Sequence, residues 1–243
     1  MLSLTLNSLV GRRILLLSPH ADDVAYSIGG IVANLSLRAD ILLVRIFGRS
    51  GWALASNLRE ASVDVISAVR EQEDRAYCER RRIDYSILYC PDSFVMGYDE
   101  ATELSVVPDD DPRTADVVTL IGDTVARLVP DVVVAPCGLG GHVDHRIVRT
   151  AADALHQADI FYYEDIPYSA SLRLYELDKE LATQGLAPAG TVDIELVVRN
   201  KCEDMWSYRS QTSALTVAEM LQHAGRIGAS TGRYAERVWR RTS

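Results

Sequence analysis

Residues 13 to 23 read Arg13-Ile14-Leu15-Leu16-Leu17-Ser18-Pro19-His20-Ala21-Asp22-Asp23. An apolar run gives way at Ser18-Pro19 to one imidazole and two carboxylates. A short apolar run ending at turn residues reads as a strand buried in a parallel sheet. Open α/β sheets bind ligands outside the carboxyl ends of their strands, so the polar cluster lies at the ligand-binding edge. Imidazole with carboxylate is also the donor set of a catalytic divalent metal such as zinc. Taken alone, these residues allow a plainer reading, in which Asp22 or Asp23 caps the following helix.

A second junction of the same kind argues against that reading. Val132-Val133-Val134-Ala135 runs into Pro136-Cys137-Gly138-Leu139-Gly140-Gly141 and then His142-Val143-Asp144-His145. Three of the five histidines in the chain fall at these two strand ends. Working outward, further apolar runs at 41–47, 85–89 and 160–163 read as strands. Helical stretches cover about 26–37, a long segment ending near Arg82, about 115–128, and the residues after His145. Such alternation predicts a Rossmann-like three-layer α/β/α fold with a mostly parallel sheet and right-handed crossovers. Residues 91–113 read as an extended loop. The last third is less regular, with a strand expected at 192–197 and two terminal helices. With no repeat or linker, residues 1–243 read as one domain.

A net charge of −9 and a pI near 5.1 argue against a nucleic-acid surface. Arg80-Arg81-Arg82 and Arg237, Arg240 and Arg241 read as solvated helix ends. No apolar stretch is long enough to span a bilayer, and the N-terminus has no signal-peptide pattern; a cytoplasmic protein is the expectation. Cys78, Cys90, Cys137 and Cys202 lack paired spacing and read as free thiols. Cys137 lies five residues before His142, so Cys–His catalysis is conceivable, but a packing role at a strand end is favoured. Gly29-Gly30 lacks the dinucleotide pattern and reads as close helix packing. Asp109-Asp110-Asp111 lacks calcium-loop spacing and reads as solvated. Exposed apolar residues near Trp206 or Trp239 could serve a homo-oligomer interface.

His20-Ala21-Asp22-Asp23 and His142-Val143-Asp144-His145 resemble the two signatures of the PIG-L/LmbE-like zinc-dependent N-acetylglucosaminyl de-N-acetylases. Arg70-Glu71-Gln72-Glu73 and Tyr208-Arg209-Ser210-Gln211, the latter after Lys201, resemble two weaker segments of that family, in the same order. The resemblance spans roughly residues 14 to 211. It implies that His20, Asp23 and His145 hold Zn2+ (or Fe2+ or Co2+), leaving positions for water and substrate. It implies Asp22 as the general base for water attacking an amide carbonyl. His142 would stabilise the oxyanion or protonate the leaving amine, and Asp144 would orient a histidine. Neighbouring Asp22 and Asp23 cannot easily both face one metal, so one ligand and one base is the natural division.

Three positions depart from the family pattern. Ala21 replaces proline, Val24 stands where many members have Glu, and Gly140 stands where some relatives carry a tyrosine that polarises the carbonyl. The implied substrate is an N-acyl amino sugar or glycoconjugate, hydrolysed to free amine and acetate. The segments 48–56, 91–113 and 162–168 are expected to line the pocket. Within and beside them Arg49, Arg70, Tyr163, Glu164 and Asp165 are candidate substrate contacts. Cleavage of a thiol-conjugate amide or a longer acyl chain is a rival reading, as is a catalytically silent sugar- or partner-binding protein.

Overall fold

The computed structural model describes residues 5–242. The first half forms α1 (Leu6–Leu9), β1 (Arg13–Ser18), α2 (Asp23–Leu35), β2 (Asp40–Arg45), α3 (Val63–Arg81), β3 (Asp84–Ile87), α4 (Glu100–Ser105) and α5 (Thr114–Leu128). The second half forms β4 (Val132–Pro136), α6 (Val143–Asp153), β5 (Asp159–Tyr163), α7 (Tyr168–Ser171) and α8 (Leu174–Thr183). It ends with β6 (Leu186–Asp193), α9 (Val198–Met205), α10 (Ala214–Ile227) and β7 (Ala235–Arg241). The strands make one seven-stranded sheet in the order β3-β2-β1-β4-β5-β7-β6. Neighbours from β3 to β5 are parallel, and β7 runs against both β5 and β6.

The run Ile14–Leu17 is apolar throughout because both faces of β1 are covered. Ile14 and Leu16 pack into the cluster under α2, α9 and α10, whereas Leu15 and Leu17 join the opposite cluster with α5, α6 and α8. Strand order reverses between β1 and β4, the switch point where doubly wound sheets open a crevice. Both histidine-bearing junctions lie at that reversal.

α2 is broken at Ile28, whose φ of −129° and ψ of 24° are not helical. The break frees backbone groups, and a buried ion pair satisfies them. Glu236 accepts from Gly30 N at 2.9 Å and Ile31 N at 2.8 Å. Lys201 Nζ donates to Ser27 O at 3.2 Å and to Glu236 Oε1 at 2.5 Å. Gly30 is needed here, since a Cβ would lie 2.7 Å from the side chain of Ile194. The glycine pair thus serves close packing, as expected.

Several expectations are corrected. The chain closes on strand β7 rather than on helices, and Arg237, Arg240 and Arg241 lie on that strand. Arg237 is bound to Glu164 at 2.7 Å and to Asp178 at 2.8 Å. Trp239 is fully buried and cannot serve an interface, whereas Trp206 is partly exposed. The strand expected at 192–197 is β6, ending at Asp193, and α8 precedes it. The loop at 91–113 contains α4 and a short 3-10 turn at Pro108–Asp110. Among the described residues no helix is long and apolar enough to cross a membrane.

Candidate metal centre and active site

The β1 junction is shaped by an unusual backbone. Asp22 precedes α2 with φ 98° and ψ −35°, and its side chain makes no capping bond. A non-glycine residue there costs about 1–3 kcal/mol and persists only where its surroundings enforce it. The two neighbouring carboxylates have different partners: Asp23 Oδ2 accepts from His20 N at 2.7 Å. Asp22 lines the main cavity and lies 3.8 Å from Arg70 Nη2. At the β4 junction, Gly138, Gly140 and Gly141 all have positive φ. This turn carries the chain into α6, where His142 takes the N-cap position, its Nδ1 accepting from Asp144 N at 3.2 Å.

The two strand ends bring three side chains with metal-ligating atoms together. His20 Nδ1 lies 3.6 Å from Asp23 Oδ2, and His145 Nε2 lies 3.5 Å from Asp23 Oδ1. Donors around a tetrahedral ion at about 2.0–2.2 Å lie about 3.3–3.6 Å apart, so His20, Asp23 and His145 suit one ion. The far nitrogen of each imidazole is held by a buried carboxylate. His20 Nε2 meets Asp144 Oδ2 at 2.9 Å, and His145 Nδ1 meets Asp165 Oδ1 at 2.7 Å. Such carboxylate–histidine pairs orient metal ligands. His20, His142 and Asp144 also come close enough to form a group. That set is the poorer one, because Asp144 already accepts from Ser93 N at 3.0 Å and lies 2.8 Å from the Arg113 guanidinium.

Electrostatics separates the carboxylates. Burial and the charge of Asp23 push Asp22 up to about 8, against the pull of Arg70 and His20. Burial would raise Asp23 too, but His145 and His20 bring it down to about 2. His20, despite burial, is raised to about 10 by Asp144 and Asp23. His142 is lowered to about 3 by burial and by the positive charges of His20 and His145. A neutral His142 whose Nδ1 accepts a backbone N–H carries its proton on Nε2, so it faces the pocket as a donor.

Gly140 has an explanation in packing. A Cβ there would lie 2.3 Å from Cγ of Tyr168, so a side chain at 140 and the present Tyr168 exclude each other. The Tyr168 ring lines the cavity, 5.7 Å from the ring of His145 and 6.4 Å from that of His142. Burial pushes its phenol well above the ordinary range, which keeps it a donor.

Of the candidate substrate contacts, only Arg70 lines this cavity. Arg49 points to solvent beside the Arg49–Pro91 bridge. Tyr163 is fully buried, its hydroxyl donating to Leu17 O at 3.1 Å. Glu164 is committed to His223 at 2.6 Å, Arg237 at 2.7 Å and Trp239 Nε1 at 2.8 Å. Asp165 is spent on His145 and Leu139 N rather than on substrate. Cys137 is buried with its thiol pushed up by burial, which disfavours a nucleophilic role. The loop at 91–113 lines the pocket as expected, Ser93 and Glu103 among its residues there. Ser93, Glu103 and Arg113 are not singled out individually by the sequence, since nothing local in the loop marks which of its polar groups reach the site.

The model of the family described as PIG-L, GlcNAc-PI de-N-acetylase, matches residues 15–156, the stretch holding both junctions. The chain belongs to the PIG-L family of de-N-acetylases. Similar proteins extend the likeness over nearly the whole chain. A 2'-N-acetylparomamine deacetylase of Streptomyces fradiae is 36% identical over 248 residues, covering 93% of this chain and 89% of that protein. A teicoplanin deacetylase, solved in a zinc-inhibited form, shares the fold with a TM-score of 0.73 and 22% identity, over 95% of this chain and 99% of that one. An N,N'-diacetylchitobiose deacetylase from Pyrococcus horikoshii gives 0.65 and 19%, over 93% and 82%. The mostly parallel sheet of this PIG-L family member is the one these structures share.

Proposed function

We propose that this PIG-L family member hydrolyses the N-acetyl group of an amino sugar held in a glycoside, releasing the free amine and acetate. The observation that carries the reading is the convergence of His20 Nδ1, Asp23 and His145 Nε2 beside an Asp22 that takes no part in that convergence. The relative named for 2'-N-acetylparomamine, alike over most of both chains, supports the substrate class. The three donors suit zinc, and also Fe2+ or Co2+. When bound, such an ion supplies Lewis acidity and makes water nucleophilic at neutral pH.

The remaining chemistry falls to the chain's own groups. Asp22, raised towards neutrality by burial and by Asp23, is matched to take a proton from the attacking water and to pass it to the departing nitrogen. His142 donates from Nε2 to the developing oxyanion. Its Nδ1 is occupied by a backbone N–H, which makes oxyanion stabilisation the better of its two candidate roles. The Tyr168 phenol supplies a second donor where Gly140 leaves room for it. Asp144 and Asp165 hold His20 and His145 in orientation. Arg70 Nη2 donates to Ala21 O at 3.2 Å and steadies the strained turn.

The test is amine release from 2'-N-acetylparomamine and N-acetylglucosamine, comparing wild type with Asp22→Asn, with metal content measured in both. The variant is expected to keep its metal while turnover falls by about 10²–10⁴-fold. Turnover near the wild-type level in Asp22→Asn would contradict the assignment of the base.

A further inference from the structure

Tyr168 is held from behind by α10, a helix that supplies no metal ligand. α7, which carries the tyrosine, is a single turn of four residues, Tyr168–Ser171. A turn that short has little helical stability of its own, because nucleation costs more than its few bonds return. Its placement must come from its surroundings. On the cavity side, the Tyr168 ring fills the space that a Cβ at Gly140 would take. At the root of the turn, Ser169 N and Oγ donate to Asp165 O at 2.8 and 3.0 Å. At its far end, Arg226 Nη2 donates to Ala170 O at 2.6 Å. A helix C-terminus leaves such carbonyls without an internal partner, and a charged donor makes the stronger kind of hydrogen bond.

Arg226 is itself fixed by its own helix. His223 lies three residues earlier and hence on the same face, and Arg226 Nη2 also donates to His223 Nδ1 at 3.1 Å. A guanidinium has no acceptor, so the His223 ring proton sits on Nε2, which donates to Glu164 Oε2 at 2.6 Å. Glu164, the first residue after β5, is anchored in turn by Arg237 and Trp239 of β7. The stretch from Glu164 to Ala170 is therefore gripped at both ends by α10, through His223 at one and Arg226 at the other. Arg226 is half-buried, does not line the reaction cavity and is in no ion pair among the described residues. Its charge is spent on one backbone carbonyl and one imidazole.

We propose that Arg226 is a positioning residue for the reaction: by holding Ala170 O it sets α7, and with it the Tyr168 phenol, against the reacting carbonyl. A displacement of about 1 Å far from the chemistry can cost about 10²-fold, and a one-turn helix gripped at two points has little else to prevent it. This inference rests on the deacetylation reading and on the phenol as an oxyanion donor. Asp165, which orients His145, lies at the opposite end of the grip from Ala170, so metal retention does not depend on Arg226.

The test follows amine release from 2'-N-acetylparomamine, with metal content measured in every protein. Wild type is compared with Arg226→Met, Arg226→Gln, Arg226→Lys, Tyr168→Phe and the double variant Arg226→Met/Tyr168→Phe. Arg226→Met and Arg226→Gln should each lower kcat by about tenfold or more and leave KM and metal content near wild type. Arg226→Lys, which keeps a charged donor, should restore most of the loss. In the Tyr168→Phe background Arg226→Met should cost nothing further, because both changes remove the same contribution. A wild-type kcat in both Arg226→Met and Arg226→Gln, or a full extra loss on top of Tyr168→Phe, would overturn the positioning role. A second readout needs no turnover. In protein labelled with 13C-tyrosine, the resonance missing from Tyr168→Phe is that of Tyr168; it should move in Arg226→Met and stay in place in Arg226→Lys. A moved resonance, with no amine release from wild type, would support the hold on Tyr168 and contradict the deacetylation reading. A resonance unmoved in Arg226→Met would overturn the hold itself, whatever the turnover.

Discussion

At the residue scale, the site is built by two backbone exceptions facing each other across the switch point. Asp22 adopts positive φ without being glycine, and Gly140, also at positive φ, leaves to Tyr168 the space a Cβ would take. Gly140→Ala should therefore displace the tyrosine, and Tyr168→Phe should remove only its hydroxyl. Loss of one oxyanion donor costs about 10²–10³-fold in kcat, and both variants are expected in or near that range, with metal content kept in Tyr168→Phe. Undiminished kcat in Tyr168→Phe would remove the phenol from the mechanism. The sequence displays His20, Asp22, Asp23, His142, Asp144 and His145 because they are packed into two short strings at strand ends. Of the two carboxylates that orient the histidines, Asp144 was read in that role from its place in the second string, whereas Asp165 was misread. Asp165 sits in a segment whose polar groups look like substrate contacts, and only the fold shows its carboxylate turned onto His145.

At the scale of elements, α2 depends on a charge pair that no local pattern reveals. Lys201 and Glu236 lie 35 residues apart, yet together they satisfy the backbone freed at Ile28. Breaking one half of a buried pair costs about 3–5 kcal/mol. Lys201→Met should destabilise by that order in a denaturant titration, and Lys201→Met combined with Glu236→Gln should recover part of the loss. A Lys201→Met variant as stable as wild type would contradict the brace. The same buried charges explain why β7 was not legible: Glu236 and Arg237 interrupt the apolar alternation that marks a strand. β6 is obscured by Pro188 and a register shift before Gly190, while apolar Ile194 just beyond it packs under Gly30 outside the strand. By contrast β1, β2, β4 and β5 were legible because strands buried on both faces must be apolar throughout.

At the scale of the molecule, buried ion networks make stability depend on pH. Burial would raise Glu164, but His223, Arg237 and Trp239 hold it below its usual 4.5. A carboxylate depressed in the fold contributes stability that is full above its unfolded value and lost as pH falls through the folded one. Asp204, raised to about 6 by burial against Arg81, acts in the opposite direction. A direct comparison isolates the Glu164 share. Glu164→Gln should show its largest stability deficit above about pH 4.5, and that deficit should shrink on acidification. A deficit constant from pH 3 to 7 would contradict this linkage.

Two distant strand ends assemble one metal centre. Its most direct test is elemental analysis of protein purified without chelator or a histidine tag, alongside His145→Ala and Asp165→Asn. Wild type should hold close to one zinc or similar divalent ion per chain, and His145→Ala little. In Asp165→Asn, affinity should fall by about 10–100-fold, because the carboxylate that orients His145 is gone. Affinity should also weaken on acidification, as the proton on His20 competes for the same imidazole. A wild-type protein that takes up no divalent ion when supplied with zinc, or one whose metal content is unchanged in His145→Ala, would contradict the account.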